Sequence, residues 1–445
     1  MASNVSHAAA SYVADALPYV SDAFASNGPS YLLAAHPVVV VTIELATIAF
    51  VVGFTSSTSI IRLAALPIIC TCVWLAVSDS LYCLQRTQWA AIVGINSFSY
   101  MLQYIEAALL TKWSFETRGP SPVSPRGKKT VSEVNGGFRK ARDGTFWERL
   151  RFGINATVSH RYPDTPYEVK NVPHFSTRDP SFVPSKTAFL CKSATTVLVC
   201  YLIVDLASLG LQPERHAVLF SPEAIPLFKH GGRISTEDLL IRVVSTFGFW
   251  SILYFMLQAL QNALAFIAVA SGMNEVRSWR PAFGSLKDAY TVRNFWGVFW
   301  HQNLRQRLSE PANFITHDVL RLPNGGLIAR YTFIFFSFLI SGFMHAATDV
   351  ASGVPWRESG SIKVFCTHVG GIMLEDAVKA IFRSARGPDR GRTHTPVWTR
   401  VLGYVWVIVF MAWSVPVWSY PAMYHNHGEK KDEVLPFSIV GFLRS

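Results

Sequence analysis

Along its length the chain alternates apolar runs of about 20 residues with polar loops, the pattern of a polypeptide that crosses a bilayer repeatedly. Eight runs stand out: Pro37–Phe54, Ile60–Val77, Trp89–Leu110, Thr187–Leu211, Leu239–Ser271, Gly326–His345, Ile362–Phe382 and Val397–Tyr420. The fifth is long for one crossing and is expected to tilt or to project beyond the lipid. The seventh is the least apolar and carries charge. The expected fold is an all-α integral membrane protein of about eight transmembrane helices, with interfacial and re-entrant helices added.

Composition strengthens this reading. Half of the 445 residues are hydrophobic and only 16% are charged, against about 25% in soluble chains. The formal charge of +11 does not point to nucleic acid, because the basic residues sit in loops between apolar runs. Their distribution sets an orientation instead. Residues 1–36 contain no Lys or Arg, whereas Lys112 to Lys186 holds 14 against 7 acids. The expected organisation is an extracytosolic segment 1–36, transmembrane helices in 37–111, and a basic cytosolic loop 112–186. A membrane core at 187–420 and a tail at 421–445 complete it. Within the loop, Arg118–Gly137 is rich in Pro, Ser, Gly and Lys and is expected to be mobile. Phe146, Trp147, Leu150 and Phe152, interleaved with Arg149 and Arg151, suit an amphipathic interfacial helix. Cys70, Cys72, Cys191 and Cys200 fall in apolar runs, and no CxxC or HExxH pattern occurs, so neither a disulfide framework nor a metal site is expected.

Four polar constellations interrupt the apolar pattern. The run from Arg293 to Arg307 predicts one helix on which Asn294, His301 and Arg305 share a polar stripe among Phe295, Trp296, Phe299 and Trp300. An aromatic belt with arginines on lipid head groups fits this pattern equally well. In the sixth run Ser337, Ser341, His345 and Asp349 recur every four residues, and an ionisable group at membrane depth usually marks a functional path. Counted from Gly326, His345 falls near the outer end. Two further stripes, Ser251, Tyr254, Gln258, Gln261 and Asn262 in the fifth run and His368, Glu375 and Lys379 in the seventh, fit helix–helix contacts or a cavity lining. Asp376 lies off the second stripe and is given no role.

Trp279 and Pro281, Phe283-Gly284, Phe295-Trp296-Gly297 and Trp300-His301-Gln302 with Arg305 are followed by Ser341-Gly342-Phe343-Met344-His345. Together these motifs resemble the wax synthase branch of the membrane-bound O-acyltransferase superfamily. The resemblance covers about Leu239 to Tyr420 and implies a membrane-embedded catalytic tunnel with His345 as the catalytic histidine and His301 at the second catalytic position. Plant-type members carry Asn there, so the match is closer to fungal members, many of which are similar to acetyltransferases of terpenoid or meroterpenoid alcohols. The implied partners are an acyl-CoA co-substrate (acetyl-CoA on this analogy), a lipophilic alcohol and the bilayer, with no tightly bound cofactor and an endoplasmic reticulum location.

The residues fit that chemistry. Histidine, with a pKa of about 6.5, suits removal of a hydroxyl proton. His301 or Asn294 would orient the thioester or hold the oxyanion, and Arg293, Arg305 and Arg307 would meet coenzyme A phosphates, with lipid phosphate as competitor. Trp296, Trp300, Gln302, Ser341, Tyr254, Gln258, Asn262 and Glu375 are the expected tunnel lining. The rival readings are a long-chain wax ester synthase and, in another class, a transporter, against which the absence of an internal repeat counts.

Overall fold

A computed structural model describes residues 36–120, 144–208, 213–227, 235–386, 396–425, 435 and 437–444. The expectations for segment 1–36, for most of Arg118–Gly137 and for the end of the fourth run lie outside the described residues. Among those described, every regular element is helical, with one isolated bridge between Ser114 and Gly119.

Helices occupy all eight apolar runs. They are α1 (Pro37–Phe54), α2 (Leu66–Leu84, preceded by the turn Ile61–Ala64) and α3 (Thr87–Tyr104, continued as a π-helix over Ile105–Leu110). After a shorter helix α4 (Phe146–Val158) come α5 (Lys186–Ser208) and α6 (Thr236–Ala270). Another short helix, α7 (Arg305–Asn313, continued as a π-helix over Phe314–Val319), precedes α8 (Leu327–Ala351) and α9 (Ser361–Arg386). The chain closes with α10 (Val397–Ser414), α11 (Pro416–His425) and α12 (Ile439–Arg444). Pro67 and Pro416 lack the N–H of a helix interior and stand in the first turns of α2 and α11, where that donor is not required.

Among the described residues, six stretches are long and apolar enough to cross a membrane: α1, Ile61–Leu84, α5, α6, α8 and α10. The protein is therefore an integral membrane protein. Helices α3 and α9 fill the other two expected runs but fall outside this set of six, which leaves the count of eight as an expectation. The side chains Val38, Val39, Ile43 and Phe50 on α1 and Leu402, Val405 and Val409 on α10 point outward, where lipid rather than protein covers them. At 1.5 Å per residue the 35 residues of α6 span about 52 Å, well beyond a hydrocarbon core of about 30 Å.

Two boundaries differ from expectation. The second run continues to Leu84. Helix α8 runs six residues past His345 to Ala351, so His345 lies well inside it rather than at its end. The extension holds because Asp349, four residues past His345 on the polar seam, has its carboxylate satisfied. It accepts hydrogen bonds from Trp418 Nε1 at 3.0 Å and from the Ser359 and Ser361 hydroxyls at 2.6 Å each.

Helix α8 packs on α3 and α9, α6 on α5, and α1 on α2 and α4. As the amphipathic pattern predicted, α4 forms at Phe146, fixed by a capping box between Thr145 and Glu148. Its Trp147 is exposed while Gly153, Ala156 and Thr157 are buried. The remainder of the basic loop folds inward. Arg161 donates to the carbonyls of Pro281 (2.5 Å) and Arg280 (2.6 Å), and Asn171 to that of Gly297 (2.8 Å). Arg280 in turn pairs with Glu168 at 3.0 Å and Asp164 at 3.4 Å. These bonds tie the loop to the Trp279–Trp300 segment.

Candidate active site

The expected single helix from Arg293 to Arg307 does not form. Val292–Asn294 make one helical turn, Phe295–Phe299 a π-turn, and Trp300 leaves it in extended conformation; helical structure resumes at Arg305. Tertiary bonds impose this break. The Gly284 N–H donates to Phe299 C=O at 2.8 Å, an approach so close that a Cβ at Gly284 would lie 2.3 Å from Val298 O. Carbonyls released at the end of the π-turn are capped by side chains further on. Gln302 Nε2 donates to Trp296 C=O (3.1 Å) and Trp300 C=O, and Arg305 donates to Gly297 C=O (2.9 Å) and Gln302 Oε1 (2.6 Å). Asn294, His301 and Arg305 therefore do not share a helical stripe.

That loop presents His301, whose ring meets Phe283 edge-on at 5.8 Å and lies beside Trp300. Its Nδ1 is enclosed and has no protein partner among the described residues. Burial, with the nearby His345 and Arg161, pushes its pKa down to about 3, so the ring is neutral at physiological pH. The two imidazoles, 44 residues apart, are linked by ring contacts that run from His301 to Trp300, Trp250, Trp418 and His345.

On α8, His345 Nδ1 lies 2.8 Å from Ser341 C=O. A carbonyl can only accept, so Nδ1 carries the proton and Nε2 keeps its lone pair. The ring stacks on Phe365 at 4.4 Å and meets Trp418 edge-on at 5.1 Å. Trp418 is itself held by the Asp349 carboxylate. Gly342 lets α9 come close beside the histidine, since a Cβ there would lie 2.9 Å from Ile362 Cα. Although helices pack around them, His301 and His345 are half-buried rather than fully enclosed.

The other expected site residues are placed as follows. Trp296 and Trp300 lie in the aromatic cluster beside the histidines, with Trp296 edge-on to His368 at 5.5 Å. Tyr254 packs on Phe283 at 4.5 Å and accepts a hydrogen bond from Gln258, whose own C=O accepts from Asn262 at 2.8 Å. Ser341 supplies the carbonyl to His345, and Gln302 braces the loop. Glu375 instead takes the backbone N–H groups of Val292 and Arg293 and Trp406 Nε1 (2.9 Å), anchoring the segment that leads to the π-turn. The Asn294 side chain has no hydrogen bond to either histidine.

Among the arginines, Arg307 is buried and spends its donors on Gln103 Oε1 (2.7 Å), Ser99 and His160 Nδ1. Arg293 pairs with Asp376 at 2.5 Å. Asp376, given no role from the sequence, also binds Arg330 (3.1 Å) and the Tyr331 hydroxyl (2.9 Å). Beside Arg330, at the start of α8, is a cavity of about 330 Å³ lined by Asn313, His317, Gly326, Ala329 and Phe333 as well.

Three contributors carried no sequence signal. His160 and Arg161 sit in an irregular loop without periodicity, and Trp418 lies in an apolar run that reads as lipid-facing. His160 is held neutral by burial and by Arg307, Arg161 and His301 around it.

Residues 279–367 match the membrane bound O-acyl transferase family, a stretch that contains both histidines. Acetyltransferase aurG of Calcarisporium arbuscula is 31% identical over 90% of this chain and 95% of its own length. Acetyltransferase fsoF of Humicola fuscoatra is 35% identical over 78% and 85%, and acetyltransferase atnC of an Arthrinium species 36% over 67% and 68%.

Proposed function

We propose that this chain, which belongs to the membrane bound O-acyl transferase family and is an O-acyltransferase, moves acetyl from acetyl-coenzyme A to the hydroxyl of a lipophilic terpenoid or meroterpenoid, with His345 as general base. The observation that carries this reading is the Nδ1–H···O=C bond from His345 to Ser341, which leaves Nε2 as the proton acceptor. The hydroxyl oxygen attacks the thioester carbonyl as its proton passes to Nε2. The tetrahedral oxyanion collapses to the ester and expels the coenzyme thiolate, which takes that proton back. His301, neutral and enclosed at Nδ1, serves through Nε2–H as a donor to the oxyanion.

Three observations support the finer choices. The relatives are named acetyltransferases. Phe365 stacks on His345, Trp418 meets it edge-on and Phe338 packs on Phe365, which favours a short acyl group over a long one and so weighs against the wax ester synthase. Arg307 is enclosed among protein partners, and Arg293 shares the Asp376 carboxylate with Arg330 but is less exposed. Arg330, half exposed beside its cavity, is better disposed toward the coenzyme phosphates. It lies fifteen residues, about 22 Å, before His345 on the same helix, a distance for the pantetheine arm to bridge. The reaction is placed in the endoplasmic reticulum membrane.

The test is ester formation by membranes carrying the protein. Acetyl-coenzyme A is offered with terpenoid alcohols, and palmitoyl-coenzyme A with fatty alcohols. Acetate esters of terpenoids are expected; palmitoyl esters of fatty alcohols alone would establish the wax synthase reading, and no ester would reopen the transporter.

A further inference from the structure

The end of the bundle where α6 begins carries polar groups that the transfer chemistry does not use. Arg242, Thr246 and Trp250 follow one another every four residues on α6. Each ends in an enclosed polar atom without a protein partner among the described residues: Nη1 of Arg242, Oγ1 of Thr246 and Nε1 of Trp250. Ser419 Oγ on α11 and Trp296 Nε1 on the π-turn are in the same condition. A buried polar group left unpaired is destabilising, so five in one neighbourhood call for an explanation.

They form one connected lining. The Trp250 ring lies 4.7 Å from Trp300, 5.7 Å from Trp296 and 6.3 Å from Trp418, and Trp418 lies 5.1 Å from His345. At the far end the Arg242 guanidinium sits 5.9 Å from the Tyr420 ring centroid, while its Nη2 donates to Ala224 C=O at 2.7 Å. The contacts start at the His345 imidazole and lead to Tyr420 on α11, which meets Arg242 and Ser245 of α6. Trp250 and Trp296 keep part of their surface accessible, so a small rotation presents either indole N–H to a ligand.

Building on the acetyl-transfer reading, we propose that these groups form the acceptor pocket and recognise a second oxygen function on the alcohol. That function is a carbonyl, ester or ether on a rigid apolar skeleton. Eight residues of helix separate Arg242 from Trp250, which sets the reach of the lining at about 12 Å. Simple fatty alcohols lack the second oxygen and leave the donors unpaired, the situation in which a polar site discriminates most strongly.

The test compares two acceptors of one polycyclic skeleton, one bearing a carbonyl remote from the hydroxyl and one without it. Trp250→Phe keeps the ring and deletes the N–H; Thr246→Val keeps the shape and deletes the hydroxyl. Trp250→Phe is expected to raise the KM of the carbonyl-bearing alcohol about tenfold, with the KM of acetyl-coenzyme A and of the deoxygenated alcohol unchanged. Thr246→Val, the check should Trp250→Phe fold poorly, is expected to shift the same KM alone. Equal effects on both alcohols, or an effect on acetyl-coenzyme A, would overturn the pocket. Wild-type protein that acetylates neither alcohol would overturn the functional reading on which it rests, a failure seen before any variant is made.

Discussion

Two histidines on adjacent helices carry the same local bond yet meet opposite surroundings. His345 on α8 and His368 on α9 each donate Nδ1–H to the carbonyl four residues earlier, at 2.8 and 2.7 Å. His368 is fully buried, and its Nε2 meets Met411 Sδ at 3.4 Å between the rings of Trp296 and Phe410. His345 keeps accessible surface, and no described protein group binds its Nε2. The helical bond fixes a tautomer in both cases. What separates a proton acceptor from a packing residue is whether the second nitrogen faces space that a substrate can enter.

The largest expected break in this comparison is His345→Ala. It should lower kcat about 10³-fold, within the usual range for a general base, with little change in either KM. His301→Ala should cost about 10²-fold in kcat through loss of the oxyanion donor; an effect confined to the acceptor KM would instead assign His301 to the pocket wall. Arg305→Ala removes the clasp on the His301 loop, and about a tenfold fall in kcat is expected from the displaced ring. Arg330→Ala should raise the KM of acetyl-coenzyme A several-fold and leave kcat intact. His368→Leu, the smallest effect on turnover, should change kcat less than about threefold while lowering unfolding stability by about 1 kcal/mol, read as a shift in detergent-solubilised thermal unfolding.

Residues whose neighbours follow from helical spacing were legible in the sequence. The apolar runs located the membrane helices, and the four-residue spacing put Ser341 and His345 on one face of α8. Charge patterning placed α4, whose capping box is local. The Arg293–Arg307 segment misled because its aromatic spacing mimics a helix. The bonds that break it, from Gly284, Gln302, Arg305 and Asn171, are long-range or need the turn to exist first. Asp349 was legible as part of the helical seam, but its three partners, Ser359, Ser361 and Trp418, lie up to 69 residues away and were not. The arginines read as phosphate ligands because sequence shows charge but not commitment: Arg307 is enclosed by α3 and the 144–186 loop, and only the fold reveals it.

The most direct test of the account is acetyl transfer by His345→Gln beside wild type, under saturating acetyl-coenzyme A and a terpenoid alcohol the wild type esterifies. Glutamine keeps much of the shape and polarity but takes up no proton near neutral pH. The account predicts folded protein with both KM values near wild type and kcat reduced at least about 10²-fold. Turnover at the wild-type rate would contradict it and remove His345 from the chemistry.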